Sequence, residues 1–125
     1  MTARRTVLAI DDNVQQLSEF KSILSQRYDL RVVKSASDAI SYLNNNESDI
    51  ILLDIEMPNI SGFEFLEDIR KIPSYSSVPI IIVSGNSGIE FFTKAKSSSA
   101  FDVLTKPVTP GLLFEAIEKA LAGLE

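Results

Sequence analysis

Five polar residues stand directly after, or at the end of, short apolar runs: Asp11 and Asp12, then Asp54, Ser84 and Lys106. Three carboxylates brought to one place repel one another, and a hard divalent cation relieves that repulsion through oxygen ligands. Three Asp charges against one Lys leave a deficit of two, which one Mg²⁺ would cancel. The chain contains no cysteine and no histidine. That excludes disulfides, thiolate nucleophiles, zinc–thiolate sites, imidazole bases and phosphohistidine, and leaves carboxylates, hydroxyls, Lys and backbone to do the chemistry. Each residue alone also has an ordinary explanation. Asp11 and Asp12 suit the cap of a helix, Ser84 a turn at a strand end, and Lys106 a solvated surface charge. Asp54 resists one, because it closes an apolar run and would be costly to bury without a partner.

The elements that must position these residues follow from two alternating rhythms. Aliphatic or β-branched runs at Thr6–Ile10, Leu30–Lys34, Ile50–Leu53, Pro79–Val83 and Phe101–Leu104 each precede a stretch with helical spacing. The runs around Leu8, Leu52 and Ile81 are apolar throughout, as strands covered on both faces of a parallel sheet are. The first helix turns Val14, Leu17 and Leu24 inward, with Phe20 or Lys21, and the second Ala36, Ala39, Ile40 and Leu43. In the fourth, Ile89, Phe92 and Ala95 form the buried stripe and leave Phe91 toward solvent. The last buries Leu112, Leu113, Ala116, Ile117, Ala120 and Leu121. Ser35 or Ser37 caps the second helix, Ser61 the third, and Thr109 the fifth with Pro110 at its first position. Five strand–helix units make an open α/β sheet with right-handed crossovers, and ligands of such sheets sit beyond the carboxyl ends of the strands. All five chemical residues fall on that edge.

The whole has 125 residues, 45% hydrophobic and 23% charged, with a net charge of −5. That is enough for one domain and too little for two. The acidic balance and scattered basic residues offer no footprint for nucleic acid. No apolar run approaches the ~20 residues of a membrane span. Met1 to Arg5 lead into a strand and not into a secretory signal, so a cytoplasmic protein is expected.

Ile10-Asp11-Asp12-Asn13, Leu53-Asp54-Ile55-Glu56-Met57-Pro58 with Gly62, Val83-Ser84-Gly85 and Leu104-Thr105-Lys106-Pro107 form an ordered set at strand ends. In that set the chain resembles the receiver domain of two-component response regulators, of the single-domain chemotaxis type, from about Arg5 to Leu121. The resemblance implies a flavodoxin-like doubly wound (βα)5 fold, with a five-stranded parallel sheet in the order 2-1-3-4-5. It implies one receiver domain spanning residues 1–125, without an effector domain. It makes Asp54 the phosphoacceptor, and gives Mg²⁺, or Mn²⁺ in its place, to Asp11, Asp12, Asp54 and the backbone carbonyl of Glu56. Ser84 becomes the hydroxyl that moves to an acyl-phosphate oxygen, and Lys106 the phosphoryl-sensing lysine, followed by a cis bond to Pro107. Glu56 and Asn86, two residues past Asp54 and Ser84, border the acyl phosphate and tune its lifetime. The implied partners are a sensor histidine kinase or phosphotransfer protein and an output partner, with the chain a monomer or a phosphorylation-dependent dimer.

One departure bears on the output. The family often has an aromatic residue three positions before the lysine, where this chain has Val103; Phe101, two residues earlier, is expected in the core. A receiver-like adaptor that works without phosphorylation is the alternative this suggests. A haloacid dehalogenase-type phosphatase is a weaker one, because its Asp-x-Asp pattern near the first strand is missing. A flavin-binding relative is disfavoured by the lack of a Gly-rich loop after the first strand.

Overall fold

The computed structural model describes residues 4–58 and 60–123. Met1–Ala3, read above as part of a non-secretory N-terminus, lie outside the described residues, as do Asn59, Leu124 and Glu125. Five strands alternate with five helices: β1 (Thr6–Ile10), α1 (Val14–Leu24), β2 (Asp29–Val33), α2 (Ala36–Asn45), β3 (Ile50–Leu53), α3 (Gly62–Arg70), β4 (Ile80–Ser84), α4 (Ile89–Ser97), β5 (Asp102–Thr105) and α5 (Pro110–Ala122). A short 3₁₀ turn at Pro73–Tyr75 links α3 to β4. All strand pairs are parallel, and the sheet order is β2-β1-β3-β4-β5. The order reverses between β1 and β3, which opens a crevice beyond their carboxyl ends.

Alternate residues of the central strands feed two separate cores. Leu8, Ile10, Ile51, Leu53, Ile80 and Ile82 pack under α2, α3 and α4. Val7, Ala9, Ile50, Leu52, Ile81 and Val83 pack under α1 and α5. Both faces are covered, which is why these runs are apolar at every position.

Three strands shift by one residue at both ends from the sequence expectation. β2 pairs from Asp29 against Thr6, β4 takes in Ser84, and β5 takes in Thr105 opposite Ser84. The expected inward faces of three helices also lose a residue each. Val14, Ile89 and Leu112 are exposed, Ile89 by 85%. All three lie in the first turn of their helices, where only part of the turn is covered: in α5 Leu113 is fully buried while its neighbour Leu112 is exposed. In α4 the stripe is reversed: Phe91 is the buried aromatic, 5.9 Å from the Phe63 ring of α3, and Phe92 is only partly buried. Phe101 precedes β5 and is half exposed, not core.

Local signals fix the helix starts. Asn13 caps α1 by accepting from the Gln16 N–H, so neither Asp11 nor Asp12 is spent as the cap. Ser35, not Ser37, caps α2, and Thr109 caps α5 ahead of Pro110. Ser61 occupies the cap position of α3 without a side-chain bond. Gly62 has a stricter role than starting that helix: a Cβ there would collide with the Ile55 backbone and side chain. Among the described residues, no helix is long and apolar enough to cross a membrane.

Candidate functional site

The backbone carries the site residues to one edge by running the parallel ladder a step past the strands. The Asp11 N–H donates to the Val33 carbonyl at 3.2 Å, the Asp54 N–H to the Ile10 carbonyl at 2.9 Å, and the Lys106 N–H to the Ser84 carbonyl at 2.8 Å. Each side chain is thereby launched from a position tied to the neighbouring strand.

Asp11, Asp12 and Asp54 then converge, with carboxylate oxygens within 4.8 Å of one another. Asp11 and Asp54 are 1% and 5% exposed, and Asp12 faces solvent. The two buried carboxylates share one design. Oδ1 of Asp11 accepts from the Asn13 N–H and Oδ1 of Asp54 from the Glu56 N–H, both at 2.9 Å. Each turns Oδ2 toward Lys106, whose Nζ lies 2.9 Å from Asp11 and 3.5 Å from Asp54. Three carboxylates around one ammonium group leave net negative charge in a largely buried place, and an all-oxygen donor set of this kind fits a divalent metal ion.

The electrostatics follow from that crowding. Burial first, then the Asp11 charge, raises the Asp54 carboxyl above its ordinary value, against the Glu56 N–H and Lys106. Burial opposes the Lys106 charge, but hydrogen bonding to Asp11 and the pull of both carboxylates outweigh it and hold the ammonium above its usual range. The lysine is therefore a fixed positive charge, and Asp54 is a carboxyl group whose surroundings disfavour its charge.

Ser84 is fully buried at the end of β4. Its hydroxyl donates to Glu56 Oε1 at 2.5 Å and accepts from the Asn86 N–H at 3.1 Å. Asn86 uses its own side chain to accept from the Gly88 N–H. The Lys106–Pro107 bond is cis, as the resemblance implies. Val103 is partly buried on the α2–α3–α4 side of the sheet.

Two arrangements escaped the sequence reading, one in the site and one at the opposite edge of the sheet. One is the Ser84–Glu56 pairing, which joins loops from two different strands. The other is Arg70, whose guanidinium donates to the carbonyls of Tyr75, Val78 and Ser99 and to the Ser99 hydroxyl. Its partners are mostly carbonyls, which carry no residue identity; the only legible sign was a cation in the last turn of α3.

A family model described as the response regulator receiver domain matches residues 7–118. Among solved structures, a CheY-like receiver domain from Methanospirillum hungatei superposes with a TM-score of 0.88 at 26% identity, over 97% of this chain and 96% of that one. Protein PilH of Pseudomonas aeruginosa is 27% identical over 118 residues, covering 94% of this chain and 98% of PilH. The chain is also 36% identical over 120 residues to a protein-glutamate methylesterase/protein-glutamine glutaminase of Pseudomonas syringae pv. tomato, covering 92% of this chain. It spans only 32% of that relative, and 24% of a probable cyclic di-GMP phosphodiesterase of Vibrio cholerae. The fold, the strand-end carboxylates and the family match agree: the chain belongs to the response regulator receiver domains, the phosphoacceptor switches of two-component signalling.

Proposed function

We propose that Asp54 is the phosphoacceptor, taking a phosphoryl group from a phosphohistidine of a partner sensor kinase or phosphotransfer protein, or from a small phosphodonor. The observation that carries this is the setting of its carboxylate: nearly buried, pinned on one oxygen by the Glu56 N–H, and facing Lys106 with the other. A carboxylate oxygen of Asp54 forms the new O–P bond as the P–N bond to the donor breaks, and the imidazole nitrogen leaves with that electron pair. Such a transfer needs alignment and charge stabilisation, and no general base. Lys106 supplies a fixed ammonium group to the equatorial oxygens, and the Ser84 hydroxyl is the donor that engages a phosphoryl oxygen afterwards.

Asp11, Asp12, Asp54 and the Glu56 carbonyl are the residues that would hold Mg²⁺, with Mn²⁺ as a substitute. Once bound, that ion neutralises charge developing on the phosphoryl oxygens. Asp12, exposed, would join that set from the solvent side. The chain's own catalysis is limited on this reading to phosphorylation and dephosphorylation of Asp54. The added phosphate brings nearly two negative charges, which bias the domain between two states. Output runs through Ser84, Val103 and the face of α4, β5 and α5 to a partner protein in the cytoplasm, or to a second copy in a phosphorylation-dependent dimer.

Intact-mass spectrometry after incubation with acetyl phosphate and Mg²⁺ tests the assignment. Wild type gains the mass of one phosphoryl group, and Asp54→Asn gains none. Absence of the gain in wild type, where another receiver is labelled in parallel, defeats the proposal. Equal labelling of Asp54→Asn defeats the choice of residue.

A further inference from the structure

We infer that Glu56 is a latch on the Ser84 hydroxyl, holding the proton donor that a phosphoryl group on Asp54 needs; the inference rests on the assignment of Asp54 as phosphoacceptor. A serine hydroxyl has one proton to give. Here that proton goes to Glu56 Oε1 over 2.5 Å, the length of a charge-assisted O–H···O⁻ bond. The lone-pair side of the same oxygen is occupied by the Asn86 N–H. Ser84 is completely buried, so no solvent competes for it.

The latch and the phosphoacceptor sit two residues apart on one loop, and the Glu56 N–H itself binds Asp54 Oδ1. The carboxylate lies beside the backbone of the β4 loop: a Cβ built at Gly85 would meet Glu56 Oε1 at 3.9 Å, an ordinary van der Waals contact. A phosphoryl group on Asp54 brings acceptor oxygens, and it can engage the Ser84 proton only by displacing Glu56. The Glu56 side chain is exposed, so the released carboxylate passes into water without a desolvation penalty. Phosphorylation and the latch therefore compete for one hydroxyl. Glu56 sets how far the unphosphorylated state is favoured, and acts as a positioning residue through Ser84.

Affinity for beryllofluoride with Mg²⁺, measured by calorimetric titration, tests this in wild type, Glu56→Gln, Glu56→Ala, Ser84→Ala and the Glu56→Ala/Ser84→Ala double variant. These substitutions keep the backbone carbonyl of residue 56. Loss of a charge-assisted competitor tightens binding by about tenfold or more in Glu56→Ala, and by less in Glu56→Gln, whose amide oxygen still accepts. The gain disappears in the Ser84→Ala background. Without metal, the Asn86 amide resonance moves in Glu56→Ala, because the hydroxyl it donates to is freed to turn. Glu56→Ala binding no tighter than wild type overturns the latch alone. An equal gain with and without Ser84 overturns it too, by assigning the effect to repulsion between Glu56 and the phosphoryl mimic. Wild type that binds no beryllofluoride refutes the phosphoacceptor assignment and the latch with it.

Discussion

Replacing Lys106 by Met keeps the length of the side chain and removes the one ammonium group between two buried carboxylates. The magnitude can be worked from the distances. Unit charges about 3 Å apart attract by roughly 5 kcal/mol at an effective dielectric of about 20, and the ammonium meets two such partners. Much of this is offset by the cost of taking the lysine out of water, and its 22% exposure admits further screening. The net loss expected in metal-free buffer is about 2–3 kcal/mol, below the roughly 3–5 kcal/mol for a fully buried pair because the lysine is partly exposed. For a chain of this size the unfolding entropy at the midpoint is about 0.26 kcal/mol/K, so Tm falls by about 8–12 °C. Thermal unfolding followed by circular dichroism, in EDTA and in saturating Mg²⁺, reads the effect. The loss is smaller with Mg²⁺, since a divalent cation takes over the neutralisation. The wild-type pH profile supplies an independent check. Lys106 is held above its unfolded value, so its contribution is fully present below about pH 10.4 and is lost as pH rises through the folded pKa. Lys106→Met lacks that alkaline step. A Tm in EDTA equal to that of wild type, or a loss of the same size with and without Mg²⁺, refutes the idea that Lys106 offsets the acidic cluster.

Asp54→Asn moves stability the other way. Its folded pKa is raised, so the stabilisation from protonating Asp54 is present below the ordinary carboxylate range and lost as pH climbs through the folded value. The Asn variant is accordingly more stable than metal-free wild type at neutral pH. The gap closes on acidification, as urea titrations at a series of pH values will record. Gly62→Ala drives a methyl group into the Ile55 backbone and costs about 1–3 kcal/mol by overpacking, a fall in Tm of about 4–12 °C. The same change displaces the loop carrying Glu56 and weakens Mg²⁺ binding by calorimetry, whereas Gly111→Ala, where a Cβ meets nothing within 4 Å, does neither.

What could be read from the sequence tracks how many faces of each element are covered. The central strands announce themselves because both faces are buried, and Asp11, Asp54 and Ser84 were legible because each follows or ends such a run, whereas Lys106 was legible from the Lys-Pro pair after the edge strand β5. The edge strands β2 and β5 have mixed burial and slid by a residue, and central β4 slid with them, because an unbroken apolar run does not mark where the ladder starts and stops. Adjacent Phe91 and Phe92 offer the same hydrophobicity to two faces of one helix. The Phe63 ring on α3 decides between them, and periodicity within α4 holds no record of it. First-turn Val14, Ile89 and Leu112 looked like core because helical spacing does not show how wide the covered face of a helix is. The Ser84–Glu56 bond was hidden for a similar reason: each residue stood out alone, but their pairing depends on how closely two loops approach.

The ladder that runs one step past the strands divides the site into parts that can move and parts that cannot. The amides of Asp11, Asp54 and Lys106 are stitched to Val33, Ile10 and Ser84, so the frame spans all five strands and yields only when the sheet itself opens. Side chains and the loops after β3 and β4 are left as the moving parts. A receiver built this way behaves like a rigid bench carrying a few levers: a chemical event at Asp54 is transmitted by which lever is engaged, while the bench stays where it was.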